Sequence, residues 1–201
     1  MCRRHAVKPG ALDGTACNLY YCLPMQNNQE KLAPFLQMAR DKGADDALVI
    51  EPRNIITAPW VRLKCQFGCF GYGRGRCCPP YTPSPEQMRG ALDSYNRAIL
   101  LHRHWQKGYQ AVEQFNEMVV DIERALFLDG YYKAWAMGSG PCRRCKECDI
   151  AGSCKHADRA RPSLEACGID VFATARKHNL PIHVVRTHKE ERDLFGVVLV
   201  E

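Results

Sequence analysis

No apolar run in this chain approaches the roughly 20 residues that a bilayer-spanning helix needs, which excludes an integral helical membrane protein. The opening Met1-Cys2-Arg3-Arg4-His5 is not followed by an apolar core, because Lys8, Pro9, Gly10, Asp13 and Gly14 interrupt it. A secretory or twin-arginine export signal is therefore not expected, and the expected compartment is the cytoplasm. The sequence has no P-loop, no H-E-x-x-H, no Ser/His/Asp order and no paired-carboxylate motif, so hydrolytic and NTP-driven chemistry lacks support. Gly71-x-Gly73-x-Gly75 is not a dinucleotide fingerprint, since Cys77-Cys78-Pro79-Pro80 stands where a helix would have to open. Internal repeats and linker-like segments are also missing, which favours one domain over residues 25–201.

What is present in excess is cysteine, with twelve in 201 residues. Hydrophobic residues make up 46% and charged residues 25%, close to globular averages. A chain of this length builds a core without staples, so the cysteines are expected to do chemistry. In a reducing compartment, clustered thiols point to metal rather than to disulfides. The formal charge of +6 suggests nucleic acid at first sight. A four-thiolate [4Fe–4S] site, however, carries a formal charge of about −2, and two would offset most of the excess. Nucleic acid is not the expected partner.

Residues 1–24 show no periodicity and read as a flexible extension, with Met25 a candidate start. Cys17-x4-Cys22 is the alternative reading there, as a source of ligands. Helical spacing runs from about 29 to 42, and 47–51 reads as a buried strand. Pro59 predicts an extended 55–64. Ser84-Pro85-Glu86-Gln87 opens a helix running to about Tyr95. Further elements are a strand at 98–102, a helix over about 110–128, a strand over 131–137 and a helix from Asp170 to Asn179. The pairs 182–185 and 195–200 read as strands around a charged turn. The expected class is α/β in the mixed α+β sense: one layered domain with a small mixed sheet, flanking helices and two cysteine-rich metal-binding loops.

The later cysteine run, Cys142-x2-Cys145-x2-Cys148-x5-Cys154, carries the strongest signal. Three thiols two residues apart can wrap three corners of an iron–sulfur cubane, and Cys154 supplies the fourth. Structural zinc is the alternative, but it usually comes as two separated knuckles. The earlier run, Cys65-x3-Cys69-x7-Cys77-Cys78-Pro79-Pro80, offers Cys65, Cys69 and one of the doublet, with Cys78 preferred. Cys77, Cys167, a distant residue or an exchangeable molecule would complete it. One or two [4Fe–4S] clusters are expected. Arg143, Arg144, Arg159 and Arg161 flank the later run and either support a reduced cluster or form a solvated face.

Together the motifs Cys65-x3-Cys69, Tyr72-Gly73, Cys78-Pro79-Pro80, Gly138-x-Gly140-Pro141-Cys142-x2-Cys145-x2-Cys148-x5-Cys154 and Ala160-Arg161-Pro162-Ser163-x-Glu165-Ala166-x-Gly168-Ile169-Asp170 resemble a prokaryotic domain-of-unknown-function family described as predicted metal-binding proteins. The match covers roughly residues 45–201. It implies metal binding and a cytosolic, anaerobic setting, without naming a reaction. The Cys77-Cys78 doublet and Cys167 depart from the family pattern.

Phe67, Phe70 and Tyr72 with Arg74 and Arg76 do not fit an RNA-binding consensus and read better as an apolar wall around a cluster. His102 and His104 alternate on a strand and share a face, with a metal role as the sharper alternative to a surface one. Electron transfer to a partner redox enzyme is the leading expectation. An enzyme with a substrate-binding, open-site cluster comes second, and a structural zinc protein third.

Overall fold

The computed structural model describes residues 30–105, 110–187 and 190–201. The expected extension over 1–24, with Cys2, Cys17 and Cys22, lies outside the described residues. A four-stranded sheet organises the rest, in the order β1-β2-β4-β3. β1 (Asp46–Ile50) pairs with β2 (Ala98–Trp105), from Asp46 opposite His102 to Ile50 opposite Ala98. β4 (Arg192–Leu199) runs along the other side of β2, and β3 (Trp135–Met137) closes the edge. Every pair is antiparallel, where a mixed sheet was expected. The mixed α+β single-domain class stands.

Strand periodicity divides the core in two. Ile99, Leu101 and Trp105 of β2 face α1 (Ala33–Asp41) and α4 (Gln110–Leu128), which buries Phe115, Met118, Val119, Ile122 and Leu126 on one stripe. Leu100 and Ala98 face the other way, onto α3 (Pro85–Leu92), α5 (Val171–Lys177) and a 3-10 turn at Glu165–Cys167. Fully burying one such Leu or Ile is worth about 1.5–3 kcal/mol, so β2 is the thermodynamic centre of the fold. Gly196 of β4 lets α4 settle this close. A Cβ there would stand 2.8 Å from Val119 Cγ2 and 3.1 Å from the Met137 carbonyl oxygen.

Local chemistry explains where the chain departs from expectation. Pro59 does not extend 55–64; it occupies the first turn of α2 (Pro59–Gly68), where its missing N–H costs nothing. Residues 182–185 form no strand, and β4 starts at Arg192 inside the expected turn. Ser84 caps α3 as expected: Gln87 N–H donates to its hydroxyl at 3.2 Å, and the Gln87 side chain accepts from Ser84 N–H at 2.8 Å.

Candidate metal centre

The first cysteine group begins on a helix rather than in a loop. Cys65 sits on α2, which Val61 anchors into the protein, and its thiol reaches the Glu165 carbonyl at 3.8 Å. Arg62 on the same helix reaches the Thr82 hydroxyl at 3.4 Å and also donates to the Pro83 carbonyl. Cys69 follows the helix, and its sulfur accepts from Gly71 N–H at 3.4 Å. The turn is closed by Gly73 N–H on the Pro79 carbonyl at 2.8 Å and by Cys78 N–H on the Gly75 carbonyl at 2.9 Å. Gly71 is a close-approach glycine. A Cβ there would lie 3.2 Å from Cys78 Sγ, 3.6 Å from Cys69 Sγ and 3.7 Å from Pro141 Cβ. The turn thus brings Cys69 and Cys78 to one spot, against the start of the second cysteine run.

Adjacent side chains diverge, and the doublet is split accordingly. Burial, then the neighbouring Cys69 and Cys65 thiols, then Cys142 and Cys148 of the later run, push Cys78 up to about 11. Cys77 turns the other way, onto the later run. Its thiol hydrogen-bonds to Cys142, and it also feels Cys154. That bond holds Cys142 below the ordinary thiol range, with help from the Arg144 backbone and charge, and it pushes Cys77 up. Cys77 thus faces Cys142, while Cys78, beside Cys69, also feels Cys142 and Cys148 across the same turn. Cys167 is buried in the core, and desolvation pushes it up to about 12.

Cys145, Cys148 and Cys154 line one small cavity of about 20 Å³, with Asp149 and Ser153. That is the room of one water molecule, so a four-iron cubane requires the segment to spread around it. Among the described residues, no three His, Cys, Asp or Glu side chains are gathered at single-ion spacing. Residues 139–162 contain neither helix nor strand, and none of them is buried. Uninterrupted loops beyond about 12–15 residues are uncommon in compact domains unless they are functional or disordered.

Polar clamps hold this segment. Asn116 of α4 accepts from Ser139 N–H at 2.8 Å and donates to the Ser139 carbonyl at 2.9 Å. Arg76 from the first turn donates to the carbonyls of Asp149 and Ile150, both at 3.0 Å, and to that of Gly152. Arg161 grips Glu123 of α4 with two bonds of 2.7 and 2.8 Å. Arg159 reaches Asp121 at 2.7 Å and also pairs with Glu117, as does Arg144. Arg161 thus binds the segment to α4. Arg143 lies 5.6 Å above the Phe70 ring, joining the two cysteine regions. Sequence reasoning missed the roles of Arg76 and Asn116, because carbonyl clamps leave no spacing signature.

His102 and His104 share a face as expected, but carboxylates take their nitrogens. His102 sits between Asp46 at 2.8 Å and Asp193 at 2.9 Å, and His104 Nδ1 lies 3.2 Å from Asp193. Between α4 and the second cysteine run opens a cleft of about 1500 Å³, reaching Phe70 and Cys142. No helix among the described residues is long and apolar enough to cross a membrane.

No curated protein matches this sequence, and no solved structure does. Residues 48–200 match a family described as predicted metal-binding proteins, DUF2284, and span both thiol groups and the clamps between them. The chain belongs to that predicted metal-binding protein family.

Proposed function

We propose that the chain is an iron–sulfur protein that passes single electrons to a partner redox enzyme. In this reading Cys142, Cys145, Cys148 and Cys154 hold a [4Fe–4S] cluster, and Cys65, Cys69 and Cys78 hold a second metal centre. The observation that carries it is the coreless stretch 139–162, which has four thiols and no buried side chain. A segment without apolar burial needs another source of order, and a metal bound by its cysteines supplies it. The donor set fits iron–sulfur chemistry: every candidate is a soft thiol, and three of them follow one another at two-residue spacing. Such a cluster would supply one-electron redox chemistry when bound. Arg144 lies beside Cys142 and favours its thiolate form.

A second reading has its own observation. With Cys77 turned toward Cys142, the first group keeps three thiols near its centre, and the wide cleft reaches Cys142. A three-thiol site leaves a position for substrate, the logic of an open-site catalytic centre. Electron transfer leads because the charged groups of the cleft are largely engaged with one another, Arg144, Arg159 and Lys42 with Glu117 and Asp121.

The test is elemental and sulfide analysis of protein purified without oxygen. About four iron and four acid-labile sulfides per cluster are expected. Stoichiometric zinc without labile sulfide refutes the reading and supports structural zinc. An EPR signal of the reduced protein that shifts with small thiols would favour the open-site enzyme.

A further inference from the structure

We infer that the exposed apolar face of α2 and the turn after it is a docking surface for an acidic electron-carrier protein; the inference rests on the electron-transfer reading. Trp60, Leu63 and Phe67 recur at i, i+3 and i+7 and therefore share one side of α2. Their exposures are 47%, 56% and 79%, and Phe70 beyond the helix is 65% exposed. The opposite side carries buried Val61 and half-buried Cys65. An amphipathic helix turns its apolar stripe inward; this one keeps a second stripe in water, beside the first thiol group. Apolar side chains clustered in this way mark an interaction site.

Charge identifies the occupant. Residues 52–85 contain Arg53, Arg62, Lys64, Arg74 and Arg76 and no Asp or Glu, and Arg53 is paired with Glu51 just outside the stretch. Arg62 and Arg76 are spent on carbonyls of the chain, while Lys64, beside Leu63 on the helix, and Arg74, in the turn beyond it, are exposed. The complementary partner has an apolar centre and an acidic rim. A second copy of this chain fits poorly, because a two-fold contact sets this basic stretch against itself. The patch surrounds exposed Cys69, between Phe67 and Phe70 in the chain, and this position suits electron exchange: the carrier would lose one electron, a bound iron centre would gain it, and no bond or proton would move.

The test uses the iron-loaded full chain, titrated calorimetrically with an acidic flavodoxin and with a basic c-type cytochrome. Flavodoxin should bind more tightly at low salt, with affinity falling as salt rises. The Leu63→Ser/Phe67→Ser double variant should weaken binding at least about tenfold, the scale of losing central contacts. Lys64→Glu/Arg74→Glu should slow association and flatten the salt dependence. All these residues are exposed, and reduction of the iron by dithionite should be unchanged in each variant. The inference is overturned if flavodoxin does not bind, if the cytochrome binds more tightly, or if neither variant alters binding. It is also overturned if the native chain self-associates through Leu63 and Phe67, or if an oligothymidine competes for Lys64 and Arg74. Failure of the iron–sulfur reading is seen separately, as a dithionite-silent protein without labile sulfide.

Discussion

Arg76 joins the two cysteine regions, and its replacement by alanine tests whether they form one unit. The guanidinium holds the carbonyls of Asp149, Ile150 and Gly152, at 3.0 Å for the first two. A typical hydrogen bond contributes about 1 kcal/mol net, and more when the donor is charged. The contacts to Asp149 and Gly152 are exposed, and water can replace much of them. Arg76→Ala should therefore cost about 2 kcal/mol, or roughly 4–8 °C in Tm for a chain of this size. Arg76→Lys should lose about half of that, because a point charge cannot reach three carbonyls in a fork. Native-state hydrogen exchange gives the sharper readout. Amides of 149–154 and 71–78 should lose protection together, while those of β2 and β4 keep theirs. Equal loss across the sheet, or protection lost on one side of the Arg76 contact alone, would refute the idea of one linked unit.

Glu123→Leu should destabilise by about 3 kcal/mol, the low end for breaking a buried pair, since Arg161 keeps the Ala160 carbonyl at 3.0 Å. Denaturant unfolding checks it, and Glu123→Leu/Arg161→Met should recover most of the loss. Burial works against the Asp121 carboxylate, yet hydrogen bonds from Arg159 and Lys42 outweigh it and hold its pKa below the ordinary value. That stability is present above the unfolded pKa of about 3.9 and is lost as pH falls through the folded value, so Asp121→Asn should flatten the acid limb of a Tm–pH profile. Chelating the metal should abolish hydrogen-exchange protection across 139–162 and leave the sheet protected. Simultaneous loss in both would show that the metal supports the whole fold.

The parts legible in the sequence are those whose order is local or periodic. The helix expected over about 110–128 is present as Gln110–Leu128 among the described residues, because five apolar residues recur on one stripe. α3 starts at Pro85 because capping chemistry is written in four consecutive residues. Pro59 misled, since the same residue forbids a helix interior and favours a helix start, and only packing of Val61 decides between them. Ile182-His183-Val184-Val185 has strand-like composition but finds no partner strand; Val184 is 68% exposed. Strand propensity without a neighbour gives no ladder. At the site, cysteine spacing marked the thiols but not their grouping. The orientation of Cys77 and Cys78 depends on two segments, 70 residues apart in sequence, meeting at Gly71 and Pro141.

That orientation follows from backbone geometry, and it bears on how the two thiol groups behave. Successive side chains leave an extended or turning backbone on different sides, so a cysteine doublet placed between two groups serves both. Cys78 stands with Cys69, and Cys77 bonds Cys142. The doublet therefore places one thiol beside Cys69 and the next against Cys142, with Cys78 itself within reach of Cys142 and Cys148. Arg76, immediately before the doublet, fixes the same two segments through carbonyls. The sheet and α4 provide a rigid base, but neither group is built on it directly apart from the Asn116, Glu117 and Glu123 clamps. With no buried side chain between 139 and 162, displacement of Cys77 meets no apolar resistance in that segment. A change at one group should thus reach the other through the doublet, the Arg76 clamp and the Arg143–Phe70 contact rather than through the core.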